Sequence, residues 1–89
     1  MGISLERAVE ICSADDVSRI VSYEEFHEHL EVYGIGILVE VYSKPRTDER
    51  IMDYVFYRDM DKRVVGLSIG SEETTVYRLV ALKEDVVYE

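Results

Sequence analysis

The spacing of apolar residues changes period several times along the chain, and each change marks an element. Between Ser4 and Cys12, the residues Leu5, Ala8, Val9 and Cys12 recur at the intervals of one helical stripe, with Ser4 in the N-cap position. Ser13 to Asp16 is a polar break. Val17 to Val21 fits a helical turn or a short strand, and its β-branched residues, with a cap just beyond, favour strand. Ser22 and Glu25 then stand at the spacing of a capping box, and Tyr23, Phe26, Leu30 and Tyr33 form a second helical stripe that Gly34 can end in a left-handed conformation. From Ile35 to Tyr42 the period drops to two. Ile35, Ile37, Val39 and Val41 fall on one face of a predicted strand, the face expected to be buried.

Pro45 has no amide proton and biases Lys44 away from helix, so Lys44 to Asp48 is predicted as a loop. Glu49 to Met60 reads as a long strand, apolar on both faces through Ile51, Met52, Tyr54, Val55, Phe56 and Tyr57, and Asp59 to Arg63 as a turn. Val64 to Ile69 directs Val65, Leu67 and Ile69 inwards. After a turn at Gly70 to Glu73, Thr74 to Leu82 sets Val76, Arg78, Val80 and Leu82 on one face and Tyr77, Leu79 and Ala81 on the other. Connections this short impose antiparallel pairing. The expectation is an α+β fold made by residues 1–89 as one domain. It comprises a mainly antiparallel sheet of four to five strands, a meander after residue 35, with one or two short helices packed on one face.

Strands that are apolar on both sides need more cover than two short helices supply. A homodimer is therefore expected, or else a large exposed patch rich in Tyr42, Tyr54, Tyr57 and Tyr77. The apolar segment Val86 to Tyr88 is expected to dock on the sheet or on a second subunit.

Composition changes the picture in three ways. Val, Ile, Leu and Phe make up 28 of 89 residues, well above the roughly 20% below which a highly charged chain stays disordered. The chain has no Asn, Gln or Trp, and a third of it is charged, which is the balance expected of a thermophilic source. No apolar run approaches the ~18 residues of a membrane span, and Glu6, Arg7 and Glu10 interrupt any secretory leader pattern, so a cytoplasmic protein with no membrane partner is expected. Cys12 is the single cysteine. It can form no intrachain disulfide, and a small buried apolar role is expected for it.

The net charge of −9 is uneven: residues 1–43 carry nine acids and two bases, residues 44–89 ten acids and eight bases. A negative field of this kind repels nucleic acid and anionic lipid and attracts basic protein surfaces or cations.

Candidate chemistry is sparse. Glu24-x-x-His27, with Glu28 and Glu31 nearby, has the Glu-x-x-His spacing of carboxylate-bridged metal sites, but such sites draw ligands from several helices and this chain offers one segment. A solvated acidic face accounts for the same residues. A Ser-His-Asp triad lacks its nucleophile turn, and Gly34, Gly36, Gly66 and Gly70 make no phosphate cradle. The basic residues Lys44, Arg46, Arg50, Arg58, Lys62 and Arg63 are interleaved with Asp48, Glu49, Asp53, Asp59 and Asp61, the pattern of surface ion pairs. No catalytic residue, cofactor or metal ligand is assigned. The reading is a small acidic, non-enzymatic interaction module that binds a basic partner surface through Glu24, Glu28 and Glu31, in its sharper form an inhibitor that mimics nucleic acid. The alternative is a divalent-metal-binding protein or metal-dependent enzyme using the Glu24, His27 and Glu31 face.

Overall fold

Two serines start the two helices. In a computed structural model that describes residues 2–45, 51–70 and 74–81, the Ser4 hydroxyl accepts from the Arg7 amide and the Ser22 hydroxyl from the Glu25 amide, each at 3.1 Å. They open α1, Leu5–Cys12, and α2, Tyr23–Leu30. The reciprocal half of the capping box is replaced by an ion pair, since the Glu25 carboxylate lies 2.7 Å from Arg19. A 3-10 segment, Glu31–Gly36, extends α2, and Gly34 takes φ +55° within it, a backbone state that costs glycine little. Among the described residues no helix is long and apolar enough to cross a membrane.

The strands are β1 (Ser18–Val21), β2 (Leu38–Pro45), β3 (Ile51–Arg58), β4 (Val64–Gly70) and β5 (Thr75–Val80). They form one antiparallel sheet in the order β1-β5-β4-β3-β2. The meander β2 to β5 is as expected, and the 17–21 segment resolves to strand, closing the far edge beside β5. The α+β class therefore holds, with a five-stranded sheet and two helices.

The helices do not share one face as expected but divide between the two, because each carries its own apolar stripe and the sheet is apolar on both sides. Ala8 and Cys12 of α1 pack with Phe56, Leu67 and Val80, whereas Phe26 and Leu30 of α2 pack with Leu79 and with the partly buried Tyr57 and Tyr77. Phe56 and Tyr57 are consecutive residues of β3 and so point to opposite sides. For the same reason the four sheet tyrosines do not form one patch. Tyr42 and Tyr54 face each other on the α1 side, and Tyr57 and Tyr77 lie on the α2 side.

Other sequence expectations change as well. The Ile35 to Tyr42 strand begins only at Leu38, because Ile35 and Gly36 complete the 3-10 segment. Of the supposed buried face Ile35, Ile37, Val39 and Val41, only Ile37 is partly buried; Val39 is 47% and Val41 61% exposed, and Ile35 is fully exposed. The reason is position: β2 is an edge strand, and α2 seats its buried residues over β4 and β5. Val65 does not share a face with Leu67 and Ile69. Tyr57 opposes Gly66 while Arg58 opposes Val64, so Val65 is the extra residue of a β-bulge and turns to the α2 side as Val64 joins the α1 core. Lys44 and Pro45 are the last residues of β2, where an edge strand tolerates proline. The remainder of the predicted loop, the Gly70 to Glu73 turn beyond Gly70, Leu82 and the Val86 to Tyr88 segment lie outside the described residues.

Cys12 is fully buried. Burial pushes its thiol from the ordinary 9.0 up to about 11, against a smaller downward pull from the Arg58 cation. It is a core group, protonated at neutral pH.

Candidate functional site: an acidic helix beside an open sheet face

Gly66 decides where α2 sits. A Cβ at this position would lie 2.9 Å from Cζ and 3.0 Å from Cε1 of Phe26, so the absence of a side chain lets the fully buried Phe26 ring reach the sheet. Tyr57 and Tyr77 flank that ring, each with its centroid 5.1 Å away. With Phe26 and Leu30 turned inwards, helical geometry puts Glu24, Glu28 and Glu31 on the opposite side, and all three are exposed. They stand at i, i+4 and i+7, one stripe along the outer surface.

Several other acids pair with cations of the fold. Glu25 pairs with Arg19, Glu10 with Arg7, and Glu40 with Arg58 at 2.6 Å. Glu24, Glu28 and Glu31 have no ion-pair partner among the described residues. At the end of the stripe the chain exposes Val32, at 79%, and Ile35; Gly36 beside them lies against Met60, itself largely exposed. Unpaired carboxylates next to exposed apolar side chains have the mixed character of an interface.

The two histidines leave α2 on opposite flanks. His27 stacks at 4.2 Å on the Tyr23 ring and lines a cavity on the α2 side of the sheet with Asp53, Tyr57, Ser68 and Tyr77. His29 lines a larger recess of about 340 Å³ near β1, with Asp15, Asp16 and Arg19. Among the described residues no three His, Cys, Asp or Glu side chains come together to hold a metal ion, so Glu24, His27 and Glu31 do not converge as their spacing suggested.

Arg58 corrects another expectation. Instead of a surface ion pair it is a buried strut: Nε donates to Glu40 Oε1 and Nη1 to the Lys62 carbonyl, both at 2.6 Å. The turn it braces is closed by Asp59, whose Oδ1 accepts from the amides of Asp61 at 2.9 Å and Arg63 at 3.0 Å, and it includes Lys62 at φ +65°. Sequence reasoning missed the cavity beside His27, because its lining comes from α2, β3, β4 and β5 and only strand register brings those residues together. Comparison with protein families, with curated proteins and with solved structures finds no match.

Proposed function

We propose that this protein is a small non-enzymatic interaction module whose α2 stripe, Glu24, Glu28 and Glu31, recognises a basic protein surface. The observation that carries the reading is that these three carboxylates share one exposed face without an ion-pair partner among the described residues, while Glu25 on the same helix is paired with Arg19. Surface charge left unpaired in this way steers association and selects partners of opposite sign more than it stabilises the fold. A row of carboxylates along a helix can also occupy the place of phosphates, which makes an inhibitor of a nucleic-acid-binding protein the sharper form. The lone buried Cys12 and the charged, amide-free composition suit a reducing cytoplasm in a heat-living cell.

Affinity capture from the native source, after nuclease digestion, tests the partner. The variant Glu24→Lys/Glu28→Lys/Glu31→Lys should fold normally and lose the captured partner, whereas charge reversal at Lys44 and Arg46 should leave capture intact. Wild-type capture should weaken as salt rises, since charges beyond about 8 Å are screened at physiological ionic strength, and the captured partner should release nucleic acid as this protein is added. Loss of the partner in the Lys44 and Arg46 variant alone would move the interface to that segment.

The same reading includes a homodimer through β2. This strand is an eight-residue edge, and its open side carries Val39 and Val41. It holds one acid, Glu40, and one base, Lys44, so unlike α2 it carries no net negative charge to repel a second copy. Antiparallel pairing of two β2 edges about a two-fold axis extends the sheet and sets those valines beside cross-strand neighbours from the second copy. Light scattering at micromolar concentration should give twice the 10.3 kDa of the chain, and Val41→Lys should halve that mass. A 10.3 kDa species in the wild type would dismiss the dimer.

A further inference from the structure

On the α2 side of the sheet, three successive cross-strand rows run from β3 through β4 to β5: Tyr57, Gly66 and Leu79; Val55, Ser68 and Tyr77; Asp53, Gly70 and Thr75. Phe26 covers the first row at Gly66. The second and third rows, with Tyr57, form a slot of about 240 Å³ to which α2 contributes only His27 among the described lining residues. That volume is below the roughly 300–1,000 Å³ of sites for drug-sized ligands and suits a single head group.

The lining of the slot is built, not incidental. Tyr57 and Tyr77 are both held against Phe26, and the buried Ser68 lies at the slot floor close to Tyr57. Burial raises the titration of the Tyr57 hydroxyl, with the Ser68 side chain acting in the opposite direction, so Tyr57 enters the slot as a neutral phenol. Asp53 stands in the outermost row, its Oδ1 accepting from the Ser43 hydroxyl at 2.6 Å, which fixes the carboxylate on this face. Aromatic rings carry a negative face that attracts cations, and a nearby carboxylate adds full charge to that attraction. An anion in the slot would meet Asp53 and the field of a chain carrying −9. An apolar group would desolvate Asp53 and the Ser68 and Thr75 hydroxyls without replacing their hydrogen bonds.

We propose that this slot is an organic-cation site, taking an alkylammonium or guanidinium head group between the Tyr57 and Tyr77 rings and the Asp53 carboxylate. The head group donates to Asp53 and to the hydroxyls of Ser68 and Thr75, and its alkyl stem leaves past Val55 towards the open β2 side. If the source is a lysine or arginine of a protein, the slot deepens the basic-partner reading and rests on it to that extent; a free amine would engage it by the same contacts.

Amide-resolved NMR titration with n-butylammonium chloride decides the matter, with sodium chloride and sodium acetate as controls at equal ionic strength. Saturable shifts at Asp53, Ser68 and Tyr77 with a millimolar Kd are expected, weakened about tenfold by Asp53→Asn, which keeps the side-chain shape. Tyr77→Leu, which retains apolar packing on Phe26, should weaken binding about fivefold. A peptide bearing a single lysine distinguishes the sources: shifts at the same amides identify a protein side chain, and butylammonium binding without peptide binding identifies a free amine. The proposal fails if butylammonium shifts do not saturate, if acetate saturates the same amides, or if Asp53→Asn binds like the wild type. Because no partner protein is present, failure here leaves the α2 reading standing. The triple α2 reversal should bind butylammonium normally even if it loses its partner.

Discussion

Replacing Phe26 with alanine is expected to cost about 3–5 kcal/mol, the range for deleting a fully buried aromatic ring. For a chain of 89 residues, total stability is on the order of 4–13 kcal/mol, so one substitution removes a large share of it. The loss falls on the proposed interaction surface, because Phe26, with Leu30, holds α2, and with it Glu24, Glu28, Glu31 and His27, against the sheet. Gly66→Ala alone should cost about 1–3 kcal/mol, since the added methyl would meet an aromatic ring that cannot swing away. In the double variant the methyl moves into the space the ring has left, and the next neighbour, Leu30 Cδ1 at 3.5 Å, is an ordinary contact. The two changes should therefore be strongly non-additive, with the double variant no less stable than Phe26→Ala. Urea melts followed by circular dichroism measure all four corners of this cycle. Simple additivity would mean that Phe26 does not rest on Gly66 and that α2 is seated elsewhere.

Arg58→Met should cost about 2–4 kcal/mol, somewhat less than the loss of one partner from a fully buried pair because Glu40 keeps some access to water. The guanidinium joins three parts of the fold: its own strand β3, Glu40 on the edge strand β2, and the Lys62 carbonyl in the hairpin turn. Methionine fills much of the volume but removes the Arg58 donor from the Lys62 carbonyl and from Glu40, which keeps the Tyr42 hydroxyl at 3.3 Å. Arg58→Lys should recover only part of the stability, since one ammonium cannot reproduce the two directed bonds of the planar group. Raising salt should not mimic the substitution, because a pair this buried is poorly screened. A second readout comes from Cys12, whose thiol Arg58 pulls down against the effect of burial. Its titration should move above about 11 in Arg58→Met. A melt unchanged within about 0.5 kcal/mol would place Arg58 among ordinary surface charges.

Local rules read much of this chain correctly. Ser4 and Ser22 cap their helices because an N-cap needs only a hydroxyl and the amide three residues on. Gly34 breaks the second helix where the stripe ends, and Asp59 to Arg63 turns as its polar composition implies. Antiparallel pairing followed from connection length alone. The acidic stripe was equally legible, since positions off a helix's apolar stripe face outwards whatever the helix packs on.

What periodicity could not supply was which side of the sheet each element covers. Val39 and Val41 alternate as a buried face should, yet they are exposed, because burial depends on a helix reaching that strand and α2 is drawn to Gly66 two strands away. The bulge at Val65 reverses a face that strict alternation assigns, and it arises from register against β3, a property of two strands together. Arg58 looked like one more surface base in a charged turn; Glu40, eighteen residues earlier, and the turn carbonyl make it a buried strut. The slot beside His27 needed all of these at once, since its residues come from four elements and neither faces nor register can be read along one. The sequence by itself thus determined the helices, the Asp59 to Arg63 turn, the antiparallel pairing and the outward acidic stripe, all governed by neighbours close in the chain. The tertiary structure alone decided which apolar residues are buried, where the charges pair, and that Tyr57, Tyr77, Ser68 and Asp53 share one cavity, because those outcomes depend on contacts between elements distant in the chain.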